Sequence, residues 1–460
     1  MGTLEQSLQM ASPTAMALAT KLLFSLALLA SASAAASPSS DAEAVISRFR
    51  EYLRIDTAQP APDYPAAVAF LRDQAAAAGL EARTLELVAG KPLLLLRWPG
   101  RRPSLPSILL NSHMDVVTSE PDKWEHPPFS AALDEQSGRI YARGTQDMKS
   151  VGMQYLEAIR RLHAAGFVPD RNIYITFVPD EEIGGHDGVE ALIASKEFKD
   201  MNVGLVLDEG HASPGEEYRV FYAERSAWWL TIKAKGAPGH GAKLYDGSAM
   251  ENLMKSVDAI RRFRTSQFDL VKSGAKAYGD VVSVNFVYLK AGTPIPTGFV
   301  MNLQPSEAEV GLDIRMPPNV DTEALERRLL EEWAPSSRNL TFEFKQRDSV
   351  LDNFGKPAIT PADSSNPWWL VFEEAVKRAG GRLGRPEILG GFTDARYYRK
   401  LGLPAFGFSP LANTPLLSHG HNEFVSKDEY LKGIGIYESV IAALATLKDG
   451  SEDEESRAEL

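Results

Sequence analysis

Asn172-Ile173-Tyr174-Ile175-Thr176-Phe177-Val178-Pro179-Asp180-Glu181-Glu182-Ile183-Gly184-Gly185 is an apolar run that stops on a proline and three consecutive carboxylates. Residues 172–178 are mostly β-branched or aromatic and do not alternate with charge, the pattern of a strand covered on both faces, and Pro179 ends it. Carboxylates gathered at the tip of such a strand repel one another unless one is protonated, paired or bound to a metal. Taken alone, Asp180, Glu181 and Glu182 fit equally well a solvated turn or a helix N-cap closed by the glycine pair. The rest of the chain shifts the balance.

Outward from this segment the pattern alternates between helix and strand. Residues 42–52 and 64–79 read as helices, 92–98 and 107–111 as strands, 149–165 as a helix ending at Gly166, and 203–207 as another short apolar strand. Such alternation predicts an α/β layer with a mostly parallel sheet. The middle changes character: strand 228–235, helix 249–263, strands 281–289 and 308–315, helix 321–333, strand 340–345. That βαββαβ order is ferredoxin-like, and a complete unit of this kind within an α/β chain predicts an inserted domain over 222–347. The α/β pattern resumes with helix 367–379, strand 405–408 and a last helix from Lys427 to about Leu447. The expected organisation is therefore an extension over 1–36, a catalytic domain in two parts (37–221 and 348–447), the insert between them, and an acidic tail over 448–460.

Composition limits the function classes. The chain has 460 residues, 44% of them hydrophobic and 24% charged, enough for more than one packed core. A formal charge of −12 argues against nucleic acid or an anionic membrane as the main partner. With no cysteine, disulfides, thiolate metal sites and cysteine nucleophiles are excluded. Lys21 followed by the apolar run 22–30 and the small residues 31–36 reads as a secretory signal, with an organelle transit peptide as the alternative and a cytoplasmic protein if the segment does not work as a leader. In a secreted chain Asn339-Leu340-Thr341 would be a glycosylation acceptor, and it is the one such triplet in the sequence.

Four further clusters lie at predicted strand–helix junctions: His113-Met114-Asp115, Asp147 in Gly144-Thr145-Gln146-Asp147-Met148-Lys149, Asp208-Glu209-Gly210, and His419-Gly420-His421-Asn422-Glu423. Asp147 alone would serve as an ordinary N-cap, and any single histidine is more often structural. Five clusters at successive strand ends, where parallel sheets bind ligands, point to chemistry. Imidazole and carboxylate donors without thiolate suit zinc or another borderline divalent ion. Two such ions bridged by a carboxylate can polarise a carbonyl and activate water, so metal-assisted hydrolysis is expected. Gly-x-Ser-x-Gly, His-Glu-x-x-His and Gly-x-x-x-x-Gly-Lys motifs are absent.

In that order, the five clusters resemble the metal motifs of the dinuclear-zinc M20 metallopeptidases. Phe177–Glu182, Tyr222–Trp229 and Gly407–Pro410 look like the branch that hydrolyses N-acyl-L-amino acids; the resemblance spans about residues 41–447. It implies a zinc-exopeptidase-like catalytic domain with a lid and dimerisation domain. Carried over by position, His113 and Glu209 would hold one zinc, Glu182 and His419 the other, and Asp147 would bridge; cobalt or manganese are the natural substitutes. Glu181 would be the general base and Asp115 the carboxylate that orients His113. His419 is preferred to His421 because the family pattern places its ligand four residues before the glutamate, here Glu423. His240 in Gly239-His240-Gly241 would stabilise the oxyanion in the partner subunit of a homodimer. Asn302 and Arg396 would bind the polar groups of a small-molecule substrate, Arg396 matching a free carboxylate bidentately; a salt bridge to Asp394 is the structural alternative for Arg396. The reading thus implied is hydrolysis of N-acyl-L-amino acids. The alternatives are a dipeptidase or carboxypeptidase on the same scaffold, and a catalytically silent binding protein of that fold.

Overall fold

A computed structural model describes residues 38–448; the expected leader and nearly all of the acidic tail lie outside the described residues. The chain divides into two units, 1–48 and 49–460. Of the first, the described part is the opening of the helix Pro38–Leu53. The second holds both principal sheets. Among the described residues no helix is long and apolar enough to cross a membrane.

The larger sheet has eight strands in the order Glu81–Val88, Lys91–Trp98, Ile173–Val178, Ser107–His113, Val203–Asp208, Ala405–Phe408, Val220–Glu224 and Glu387–Leu389. Its middle four strands, from Ile173–Val178 to Ala405–Phe408, are mutually parallel, while antiparallel pairs lie on either side. Every residue of Ile173–Val178 and Ser107–His113 is buried, as runs without polar alternation require. Each such Ile, Leu or Phe side chain contributes roughly 1.5–3 kcal/mol by leaving water. Because these strands are parallel and in register, with His113 opposite Val178, their carboxyl ends open on one edge of the sheet. The helices Lys149–Ala164 and Lys427–Ala445 follow the expected spans closely. The outer strand Glu81–Val88 was not expected: its charged residues mask the period, and it is held by a hairpin through Gly90.

The smaller sheet has the order Ser283–Ala291, Glu307–Met316, Ser226–Lys235, Leu340–Arg347, antiparallel throughout, which is the ferredoxin-like arrangement. It begins at Ser226 rather than at 222, because Val220–Glu224 hydrogen-bonds into the larger sheet and Arg225 alone separates the two strands. The helix expected to stop at Phe263 runs from Ala249 to Lys272, since no breaker occurs before Ser273-Gly274; Ser248 caps it by accepting from the Glu251 N–H at 3.2 Å. Leu253 and Ile260 on this helix pack with Leu230, Ile232, Val310, Leu312 and Trp333 to give the insert its own core.

Candidate metal and active site

The strand edge gathers five donors. His113 ends its strand fully buried, and its Nδ1 lies 2.8 Å from the Asp115 carbonyl oxygen, which places the ring proton there. Nε2 turns into the cluster, 3.1 Å from Asp147 Oδ1 and 3.7 Å from Glu209 Oε1. The other carboxylate oxygen of Asp147, Oδ2, lies 3.1 Å from His419 Nε2, which is also 3.1 Å from Glu182 Oε2. Asp147 thus turns one oxygen toward each imidazole. Glu181 joins His113 and Glu209 within ligand distance.

Local structure explains the placement. Past Pro179 the chain makes one tight turn, Glu181–Ile183, and leaves it through Gly184 and Gly185 at φ 113° and 67°. A side chain at Gly185 would meet Asp394 Oδ1 at 2.4 Å, so both the backbone angle and the space demand glycine. Asp180 shapes this turn: its carboxylate accepts from the Asp187 N–H at 2.7 Å and its carbonyl from the Gly185 N–H at 2.8 Å.

Asp115 flanks the Nδ1 side of the His113 ring. The carbonyl of Asp115 is what meets His113, whereas its carboxylate Oδ1 stands 3.6 Å away. The other oxygen, Oδ2, accepts from Gln59 Nε2 at 2.9 Å and from the Glu182 N–H at 3.3 Å. Asp115 therefore lies between the His113 and Glu182 segments and touches both.

The choice between His419 and His421 follows from position. His421 points away, 3.1 Å from the exposed Glu120, while His419, at φ 64°, turns into the cluster. Glu423 is fully buried and accepts from Arg143 Nη1 at 2.7 Å, Gly144 N–H at 3.2 Å, Thr145 Oγ1 at 3.2 Å and Gln146 N–H at 2.7 Å. It binds the His419 loop to the segment that delivers Asp147. Gln146 adds a second tie, donating to the Pro415 and Phe424 carbonyls. From the sequence Glu423 is legible only as a spacing marker, and nothing near Arg143 or Gln59 marks them out.

The electrostatics favour cations. Burial, then the Asp147 charge, pushes Glu209 well above the ordinary carboxylate range and Glu182 up to about 7. Burial and the neighbouring Glu209 push Glu181 well up as well. Burial also works against the charge on Asp147, but its hydrogen bonds to His113 and His419 prevail and hold it well below that range. The five donors are three carboxylates and two imidazoles, with the Glu181 carboxylate beside them and no lysine or arginine in the set, which suits two divalent ions in both charge and donor type.

Glu181 is distinct within this group. Among the described residues its carboxylate makes no hydrogen bond, although it is buried beside His113 and Glu209. Arg396 lies on the far side of the same turn: Nη2 donates to the Gly184 carbonyl at 2.5 Å, and the guanidinium stacks on Phe392 and Tyr397 at 4.2 and 4.6 Å. No salt bridge to Asp394 forms among the described residues, which leaves the guanidinium without a carboxylate partner. His240 and Asn302 come together elsewhere, on a two-stranded ribbon of Gly239–His240 against Leu303–Gln304, with the Gly241 N–H donating to the Asn302 carbonyl at 2.7 Å. Both are exposed, and neither bonds to the donor cluster.

The sequence profile of peptidase family M20/M25/M40 matches residues 109–443. Aminoacylase-1 of Mus musculus is 43% identical over 403 residues, covering 87% of this chain and 95% of its own. The Dictyostelium discoideum aminoacylase-1 is 42% identical and 97% covered. Among solved structures, an M20 family metallo-carboxypeptidase from Sulfolobus solfataricus superposes with a TM-score of 0.64 at 18% identity, over 88% of this chain and 99% of that one.

Proposed function

Because the chain belongs to peptidase family M20/M25/M40, we propose that its donor cluster holds two zinc ions and hydrolyses N-acyl-L-amino acids to a carboxylate and a free L-amino acid. The aminoacylase-1 relatives, similar over nearly their whole length, support the substrate class. The observation that carries the chemistry is Asp147, whose two oxygens face two different histidines, beside a Glu181 carboxylate with no protein partner.

Two divalent ions at such a site supply Lewis acidity toward the acyl oxygen and make water acidic enough to attack near neutral pH. His113 and Glu209 would hold one, Glu182 and His419 the other, and Asp147 both. Glu181 accepts the proton of the attacking water and delivers it to the amide nitrogen as the acyl carbon–nitrogen bond breaks. Glu182 cannot share this task, since its Oε2 faces His419 and its Oε1 accepts from the Val117 N–H at 3.1 Å. Arg396, stacked and without a carboxylate partner, receives the substrate carboxylate as a two-pronged donor.

The second half of the reading concerns a homodimer. His240 and Asn302 stand on an exposed ribbon, and they complete the site by reaching into that of a second copy, where His240 donates to the developing oxyanion. Residues Phe286, Val287, Tyr288 and Leu289 support this reading: they are consecutive, exposed and apolar on an edge strand of the smaller sheet. The leader further suggests that the chain enters the secretory pathway. A panel of N-acyl-L-amino acids tests the activity: zinc-loaded protein should release free amino acid, chelated protein should not, and restored zinc should recover turnover. Equal rates with and without metal would rule the reading out.

A further inference from the structure

We propose that Asn339 is an N-glycosylation site whose oligosaccharide shields the free edge of the smaller sheet. The proposal rests on the reading that the chain enters the secretory pathway. Asn339-Leu340-Thr341 is the sole Asn-X-Ser/Thr triplet in 460 residues. Asn339 occupies the turn between Ser336–Arg338 and the strand Leu340–Arg347, in the left-handed region at φ 53° and ψ 37°. Its backbone is engaged, with the N–H donating to the Ser336 carbonyl at 2.9 Å and the carbonyl accepting from the Lys235 N–H at 3.1 Å. The side chain is exposed and its amide bonds to none of the described residues, so a glycan on Nδ2 displaces no contact among them.

The strand that follows shows why this place suits one. Leu340–Arg347 pairs on one side only, with Ser226–Lys235, and leaves its other backbone edge open. Open edges invite pairing with other chains and are usually blunted by charge. Here the outward residues Glu343, Lys345 and Arg347 do so for the far half, whereas Leu340, Thr341 and Phe342 carry no charge. A glycan on Asn339 would cover that uncharged half. The opposite edge, Ser283–Ala291, keeps its apolar residues free for the partner copy.

In the transfer, Asn339 Nδ2 forms a bond to C1 of the first sugar of a lipid-diphosphate-linked oligosaccharide. The bond from C1 to the diphosphate oxygen breaks, the lipid diphosphate leaves, and Nδ2 loses one proton. To test this, the full chain would be expressed with its own N-terminus in a eukaryotic cell, and the peptide containing Asn339 examined by mass spectrometry before and after treatment with a glycan-releasing amidase. We expect one glycan, conversion of Asn339 to Asp on release, loss of the glycan in Asn339→Gln and Thr341→Ala, and retention in Thr341→Ser. A chain that has lost its N-terminal segment but carries an unmodified Asn339 would overturn the site. A chain that keeps its N-terminus and stays in the cytosol would overturn the secretory reading; in that case a cleavable leader in place of residues 1–36 tests the site itself, and Asn339 left bare would overturn it too.

Discussion

Glu181 and Glu182 are neighbours in the chain with different surroundings, and the tight turn between Pro179 and Gly184 is what separates them. Glu182 is committed through both oxygens, to Val117 and toward His419, while the Glu181 carboxylate has no hydrogen bond among the described residues. Glu181→Gln should therefore leave metal content unchanged and lower kcat by ~10²–10⁴, the usual cost of losing a general base; metal analysis alongside steady-state rates checks both halves. Glu423 acts at one remove. Removing one member of a buried ion pair such as Arg143–Glu423 costs about 3–5 kcal/mol, so Glu423→Ala should unfold at markedly lower urea and lose metal more readily on dialysis. Unchanged values on both counts would remove it from the site's support. The donors were legible because carboxylates and histidines at strand ends are unusual. The Glu423 brace was not, because its partners at 143–146 lie some 280 residues away and only the fold brings them together.

At the level of elements, most helices and the buried strands were legible from periodicity. The exceptions have physical causes. The first three residues of the expected insert, 222–224, belong to the strand Val220–Glu224 of the larger sheet, which runs almost without a break into Ser226–Lys235, and only hydrogen bonding shows which sheet owns it. The ribbon bearing His240 and Asn302 pairs just two residues on each side, too few to leave a pattern. Edge strand Ser283–Ala291 carries the dimer proposal. Replacing Val287 and Leu289 by Lys should yield folded monomers in sedimentation, with activity lowered as far as in His240→Ala, for which the loss of an oxyanion donor suggests ~10²–10³. Mixing His240→Ala with Glu181→Gln subunits should recover part of the activity, since one of the two sites in each heterodimer is then intact. No recovery in mixed dimers would contradict the action of His240 across the dimer.

The whole molecule depends on charge balance at the open edge of the larger sheet. Without metal, Glu182 titrates at about 7 instead of its ordinary 4.5 because of burial and Asp147. A carboxyl whose folded pKa is raised costs nothing while protonated, so the metal-free protein should lose stability as pH rises from about 4.5 through about 7. Bound metal cancels that cost and itself competes with protons for the same donors. The difference in Tm between zinc-loaded and chelated protein should accordingly widen across that window; a constant difference would contradict the assignment of Glu182. The central claim concerns the bond that is cut, because M20 relatives with this fold include a metallo-carboxypeptidase as well as the aminoacylases. The most direct measurement offers the zinc-loaded protein N-acetyl-L-methionine and, separately, a methionine-containing dipeptide, and follows free methionine. Release from the acetylated amino acid, with the dipeptide left intact, is the expected result; cleavage of the dipeptide with N-acetyl-L-methionine untouched would contradict it.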